Sequence, residues 1–191
     1  GNQGKLTEFS QLLAPLGWQV QPQSSFNLPE AEETGLTFVE NALIKARHAA
    51  KLTGLPALAD DSGLEVDALK GAPGIYSARY AGVGSTDAEN NALLLENLAG
   101  VAAEKRTARF WCVLAFLRWA EDPTPVIVQA SWEGQILEAA SGSGGFGYDP
   151  IFYVPSQQLT AAELSPEIKN QLSHRGKASQ LLLTVLQERF G

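Results

Sequence analysis

The chain has 191 residues, enough for one domain, or one domain with two lobes, around a substantial core. Hydrophobic residues make up 45% and charged residues 18%, ordinary for a folded chain and not a disordered one; no run approaches the roughly 18 apolar residues of a membrane span, and no signal peptide is expected. With 14 basic and 21 acidic residues the net charge is −7, which argues against broad nucleic-acid binding but leaves room for a small anionic substrate where bases gather locally.

Residues 1–5 form a glycine-bracketed turn, after which Leu6, Phe9, Leu12, Leu13 and Leu16 recur at helical spacing until Gly17 stops the helix. A glycine turn opening a helix offers backbone N–H groups to an anion, and Lys5 adds a cation, although the standard phosphate loop would need a Gly-Lys-Ser/Thr ending. Residues 18–20 read as a brief strand, and 21–33 as a polar stretch ending in the acids Glu30, Glu32 and Glu33. Thr37 and Glu40 have capping-box spacing and introduce a helix to about residue 52. Phe38, Ala42, Ala46 and Ala49 form its packed stripe; Asn41, Lys45 and His48 form a polar stripe that is ordinarily the solvent face.

Ala57-Leu58-Ala59 reads as a buried strand ending in Asp60-Asp61-Ser62-Gly63. Such a strand tip is either a solvated turn or a ligand site, since adjacent carboxylates repel unless a cation relieves them. Hard oxygen donors suit magnesium, which shares its shell with water and substrate phosphates. After a turn-rich loop at 71–74, residues 87–98 read as a helix capped by Thr86 or Asp87. The aromatic and β-branched runs 109–118 and 126–132 read as two strands joined by a turn, with 136–138 extending the meander. Cys112, the single cysteine, is expected to be a buried structural thiol, in keeping with a reducing cytoplasm.

The glycines of 142–147 are not a dinucleotide fingerprint, because Pro150 and an apolar run follow where a helix is required. A loop that sets an aromatic face and a carboxylate beside a base suits this stretch better. Ser165-Pro166 starts a helix, and Ser173 is a candidate cap for the terminal helix, bringing His174 and Arg175 to its start.

Taken together and in order, Gly1-Asn2-x-x-Lys5, Glu32-Glu33-Thr34-Gly35-x-Thr37-Phe38, Glu40-Asn41-Ala42-x-x-Lys45-Ala46 and Ala59-Asp60-Asp61-Ser62-Gly63-Leu64 resemble the inosine triphosphate pyrophosphatase family, which includes the bacterial XTP/dITP diphosphatases. Gly71-Ala72-Pro73-Gly74-x-x-Ser77-Ala78-Arg79, Gly144 to Pro150 and Ser173-His174-Arg175 continue the likeness, so that it covers nearly the whole chain. The resemblance implies a single α/β domain spanning 1–191, with a long mixed β-sheet flanked by helices and two lobes about a central cleft. It also implies a strand before residue 1. The chain, which has no methionine, opens on Gly1 as though that segment lay outside the numbering.

The same likeness implies a magnesium-dependent, cytoplasmic, homodimeric enzyme with no nucleic-acid or membrane partner. It would cleave ITP, dITP and XTP to the monophosphate and pyrophosphate, clearing deaminated purines from the nucleotide pool. By matched position Asp61 is the metal-binding proton acceptor, Asp60 supports it, and Glu32 is the second metal carboxylate, with Glu33 and Glu30 as neighbouring alternatives. Asn2, Lys5, Lys45, Ser62 and Lys169 are triphosphate and sugar contacts; Phe146, Gly147, Tyr148 and Asp149 form the base loop, completed by His174 and Arg175. A donor such as Arg175 at the 6-oxo edge of hypoxanthine would be left unpaired by adenine. Two rivals are a Maf-type pyrophosphatase acting on other triphosphates and a nucleotide-binding protein without catalysis.

Overall fold

The structure, a computed structural model, describes residues 3–191. Five strands form one sheet in the order β1 (Ala57–Val66), β2 (Thr107–Leu117), β3 (Val126–Ile136), β4 (Phe152–Val154) and β5 (Leu159–Thr160). The sheet is antiparallel, with Gln135 opposite Tyr153 and Tyr153 opposite Thr160 in the last two pairings. Five α-helices accompany it among the described residues: α1 (Gln3–Leu13), α2 (Phe38–Thr53), α3 (Asp87–Asn97), α4 (Pro166–Leu172) and α5 (His174–Phe190). The α/β class is therefore as expected. None of these helices is long and apolar enough to cross a membrane.

The chain divides into two compact units, and the division falls within β1, β2 and β3. Among the described residues the first comprises 3–61, 113–129 and 177–191. In it Ala42 and Ala46 of α2 pack on Val113, Ala115 and Leu117 of β2, the alanines allowing the helix to lie close to the strand. Thr37 caps α2 by accepting from Glu40 N (3.1 Å), while Glu40 accepts from Leu36 N (2.7 Å). Gly54, in the left-handed region at φ 70°, ends the helix by returning its N–H to Ala50 O. Residues 18–20 are not a strand; Trp18 instead stacks on Phe116 at 5.2 Å between ring centroids. Aromatic burial there takes the place of a short, unpaired edge. Gln3, Gly4 and Lys5 already belong to α1, not to an open turn.

The turn after β2 is closed by Asp122, which is 3% exposed and accepts from Arg118 Nε (2.9 Å), Arg118 Nη2 (2.7 Å) and Thr124 N (2.9 Å). The Arg118 hydrogen bonds hold the Asp122 carboxyl well below the ordinary aspartate value of about 4. A depressed carboxylate contributes stability that is present above its unfolded value and is lost as pH falls through the folded one. Asp122→Asn is therefore expected to be less stable at neutral pH and to lose less stability than wild type on acidification from about pH 5 to pH 2. Urea titrations across that range would check it, and identical pH profiles would remove Asp122 from the account.

The second unit comprises 62–112 and 130–176. Its core gathers Leu64, Val66, Leu94, Leu98, Phe110, Trp132, Ile136 and Phe152. On the strands Arg109 serves three acids: Glu65 at 2.7 Å, Asp67 at 2.9 Å and Glu133 at 2.8 Å. The expected caps are in place: Thr86 and Glu89 form a complete capping box on α3, and Ser165 accepts from Ile168 N at the start of α4. Ser173 accepts from Gly176 N (3.1 Å) at the start of α5, which begins at His174 as that cap implies. Cys112 is fully buried in β2.

Candidate active site

The aspartates do not sit at a strand tip. β1 runs unbroken through Asp60, Asp61, Ser62 and Gly63 to Val66, because the residues after them, Leu64 and Val66, are apolar and fully buried. Successive side chains on a strand point to opposite faces, so the two adjacent carboxylates face different surroundings. Each has its own lysine. Lys5 of α1 reaches Asp60 Oδ2 at 2.9 Å, and Lys45 of α2 reaches Asp61 Oδ1 at 3.0 Å. The sequence reading treats the pair as one strand tip, either a solvated turn or a ligand site; strand alternation resolves it into two ion pairs.

Lys45 also lies 3.3 Å from Glu33 Oε1. Of the acidic run, then, the structure brings Glu33 to the Lys45–Asp61 pair, whereas the sequence assigns the second metal carboxylate to Glu32 and leaves Glu33 as an alternative. The reason is the polar stripe of α2, which is not a solvent face. Asn41, 1% exposed, accepts from Gly35 N at 2.8 Å, and His48 Nε2 donates to Pro29 O at 2.7 Å. One helix face thus pins the loop from Pro29 to Gly35 at both ends and sets Glu33 over Lys45. Gly35 is required there, since a Cβ would lie 2.6 Å from Glu40 Cβ.

Burial raises the Asp61 carboxyl to about 6; Lys45 pulls it down, and Glu33 and Asp60 push it up again. Burial alone would lower the Lys45 ammonium, but Asp61, Glu33 and Asp60 leave it raised. Lys45 therefore stays charged. Asp61 is a carboxylate whose proton affinity has been brought towards neutrality by its surroundings.

In the second unit the hydroxyl of Ser62 is buried without a hydrogen-bond partner among the described residues. The loop 146–149 presents Phe146, which is 58% exposed, while Tyr148 and Asp149 are buried. Lys169 of α4 bonds Asp149 Oδ2, and its ammonium lies 4.6 Å from the Phe146 ring centroid. Asp149 also accepts from Phe146 N at 3.0 Å, and an added methyl at Gly145 would collide with that carboxylate. His174 stacks on Phe110 at 4.9 Å, with 18° between the planes. Arg175 follows it in the first turn of α5. Asn2 lies outside the described residues.

Three groups to which the sequence reading gives no part in the site act here. Ser77 Oγ accepts from Leu64 N at 2.8 Å, its carbonyl accepts from Tyr148 Oη at 2.6 Å, and Asp87 and Asn91 of α3 both bond the peptide of Gly147. The i, i+4 spacing of Asp87 and Asn91 is visible in sequence; their target is not.

The model of the Ham1 family matches residues 1–185, and the chain belongs to that family. It is 60% identical over 189 residues to the dITP/XTP pyrophosphatase of Thioalkalivibrio sulfidiphilus, covering 99% of this chain and 96% of that protein. It is 58% identical to the dITP/XTP pyrophosphatase of Vibrio cholerae, covering 98% and 94%. Among solved structures, a HAM1 protein from Coxiella burnetii superposes with a TM-score of 0.94 at 56% identity, covering 98% of this chain and 95% of that one. The Ham1 protein of Staphylococcus aureus superposes at 0.91 with 42% identity and the same coverage.

Proposed function

We propose that this chain hydrolyses dITP, XTP and ITP between the α- and β-phosphates, adding water to give the nucleoside monophosphate and pyrophosphate. The observation that carries the reading is the Lys45–Asp61–Glu33 group, a half-buried carboxylate of raised proton affinity held between a cation and a second acid. The names of the relatives at about 60% identity support the substrate class.

Asp61 accepts the proton of the attacking water, a task matched to a carboxylate near 6. Lys45 and Lys5 offset charge on the departing pyrophosphate while keeping Asp61 and Asp60 in place. The hydroxyl of Ser62 donates to a phosphate oxygen, and Asn2 keeps the substrate-binding role that its matched position implies. The Phe146 face stacks on the base, Asp149 and Lys169 meet its polar edge, and His174 and Arg175 complete the recognition, Arg175 donating to the 6-oxo group. That contact selects against adenine.

A divalent cation fits this donor set. No group of three or more acidic, His or Cys side chains is arranged as a closed metal cage among the described residues, but magnesium needs only one or two carboxylates beside water and phosphate oxygens. Asp61 and Glu33, not Glu32, are the carboxylates we assign to it, because both already meet Lys45. When bound, the ion supplies Lewis acidity at the phosphates. The reading extends to a homodimer in the cytoplasm, with no nucleic-acid partner.

Pyrophosphate release from ITP, dITP, XTP, GTP, ATP and dTTP, with magnesium and with it chelated, tests the proposal. Release from the first three, falling at least about 100-fold on chelation, is expected. Preference for dTTP would point to the Maf-type rival, and nucleotide binding without release would point to a non-catalytic binder.

A further inference from the structure

The base loop is held by a clamp that lies outside the residues assigned above. Gly147 adopts the left-handed conformation at φ 59°. Both sides of its peptide are bonded to one helix: its N–H donates to Asp87 Oδ2 at 2.8 Å, and its carbonyl accepts from Asn91 Nδ2 at 3.1 Å. Asp87 and Asn91 stand one turn apart on the same face of α3. That helix is itself rigidly seated. Its N-terminus carries the Thr86–Glu89 capping box, Asn90 accepts from Ala81 N and donates to Ala78 O, and Leu94 is fully buried.

The amide of Asn91 is informative in its orientation. Its Oδ1 is buried and makes no hydrogen bond among the described residues, so what the side chain supplies there is its donor, which goes to Gly147 O. Gly147 is the hinge between two differently fixed neighbours. On one side Phe146 is mostly exposed; on the other the Tyr148 hydroxyl is anchored on Ser77 O. Without the clamp, rotation about Gly147 would carry the Phe146 ring away from the Asp149–Lys169 pair that it now adjoins.

We propose that Asp87 and Asn91 are positioning residues that set nucleobase selectivity by fixing the Gly147 peptide, and through it the Phe146 ring. The proposal rests on the base-loop role given above. Neither residue touches the base. Their contribution is to hold the loop in one conformation before substrate arrives, which lowers the ordering cost of binding and leaves the chemistry at Asp61 unchanged.

The test uses the full chain with Asp87→Ala and Asn91→Asp, the second isosteric but presenting an acceptor to the Gly147 carbonyl, and with Asp87→Asn, whose amide oxygen still accepts from Gly147 N. Amide hydrogen exchange in 146–149 without nucleotide is expected to accelerate at least about tenfold in the first two variants and to return towards wild type in the third. KM for ITP is expected to rise about tenfold with kcat within about twofold, and the preference for ITP over GTP to narrow. Unchanged exchange in the loop would overturn the clamp whether or not the wild type hydrolyses nucleotides. Faster exchange with unchanged KM and selectivity would reduce Asp87 and Asn91 to structural residues. Failure of the wild type to act on ITP, dITP or XTP would instead count against the proposed function, with the exchange result still deciding the clamp.

Discussion

Asp61→Asn is expected to slow pyrophosphate release from dITP, XTP and ITP by about 10³-fold while leaving nucleotide affinity within about tenfold of wild type. The substitution keeps the shape of the side chain but removes its capacity to take a proton. Lys45 retains Glu33 at 3.3 Å, so the lysine keeps its place, and the loss falls on proton transfer and on the oxygen that Asp61 offers the cation. A second consequence follows from the direction of the pKa shift. Burial raises Asp61 above its unfolded value to about 6, so the folded state loses stability as pH rises through the range between those values. At pH 7 the full penalty is present, and a neutral asparagine lifts it. The metal-free variant should therefore be at least as stable as wild type, the usual signature of a side chain kept for function at a cost in stability. Single-turnover rates and urea melts would measure the two effects; wild-type turnover in the variant would end the proton-acceptor role.

The parts of this protein legible in the sequence are those governed by local rules. The caps at Thr37, Thr86, Ser165 and Ser173 are visible because a hydroxyl meeting an N–H three residues on is a short-range interaction. The strands β2 and β3 and the helices α2 and α3 are likewise set by hydrophobic period. What periodicity misjudges is β1. Asp, Asp, Ser and Gly are turn formers, and only burial of Leu64 and Val66 beyond them carries the strand onward. Residues 18–20 fail in the opposite sense, since their β-like composition is spent on aromatic stacking with Phe116.

At the site, the residue types were readable and the pairings were not. Lys45 is one of three residues on what looks like a solvent stripe; its importance depends on Asp61, 16 positions away, and on a loop whose path is set by Asn41 and His48. That is why Glu33 and Glu32 are equivalent in sequence and distinct in the structure. The Gly147 clamp is further out of reach, because Asp87 and Asn91 act on a peptide 60 and 56 positions away in the chain.

Arg106 shows the same limit most sharply, and its replacement is expected to give the largest stability loss of any substitution considered. In sequence it is one more surface charge after Glu104 and Lys105. In the structure it is 3% exposed and its side chain donates to four main-chain carbonyls: Nε to Ile136 O at 2.8 Å, Nη1 to Leu98 O at 2.8 Å and Val101 O at 3.4 Å, and Nη2 to Leu137 O at 2.9 Å. Its own carbonyl accepts from Ile136 N at 2.9 Å, so the residue ties the end of α3 to the end of β3 through both backbone and side chain. The fork geometry of a guanidinium is what lets one side chain reach four carbonyls. Arg106→Met preserves much of the apolar stem but leaves those carbonyls buried and unpaired, at about 1–3 kcal/mol for each that finds no water. The expected loss is about 3–5 kcal/mol, a large share of the roughly 5–15 kcal/mol that holds a domain folded. Arg106→Lys should recover only part of it, since an ammonium on a shorter reach serves fewer of the four acceptors. Urea unfolding of both variants measures this directly; a loss below about 1 kcal/mol in Arg106→Met would mean that water satisfies the carbonyls as well as the arginine does.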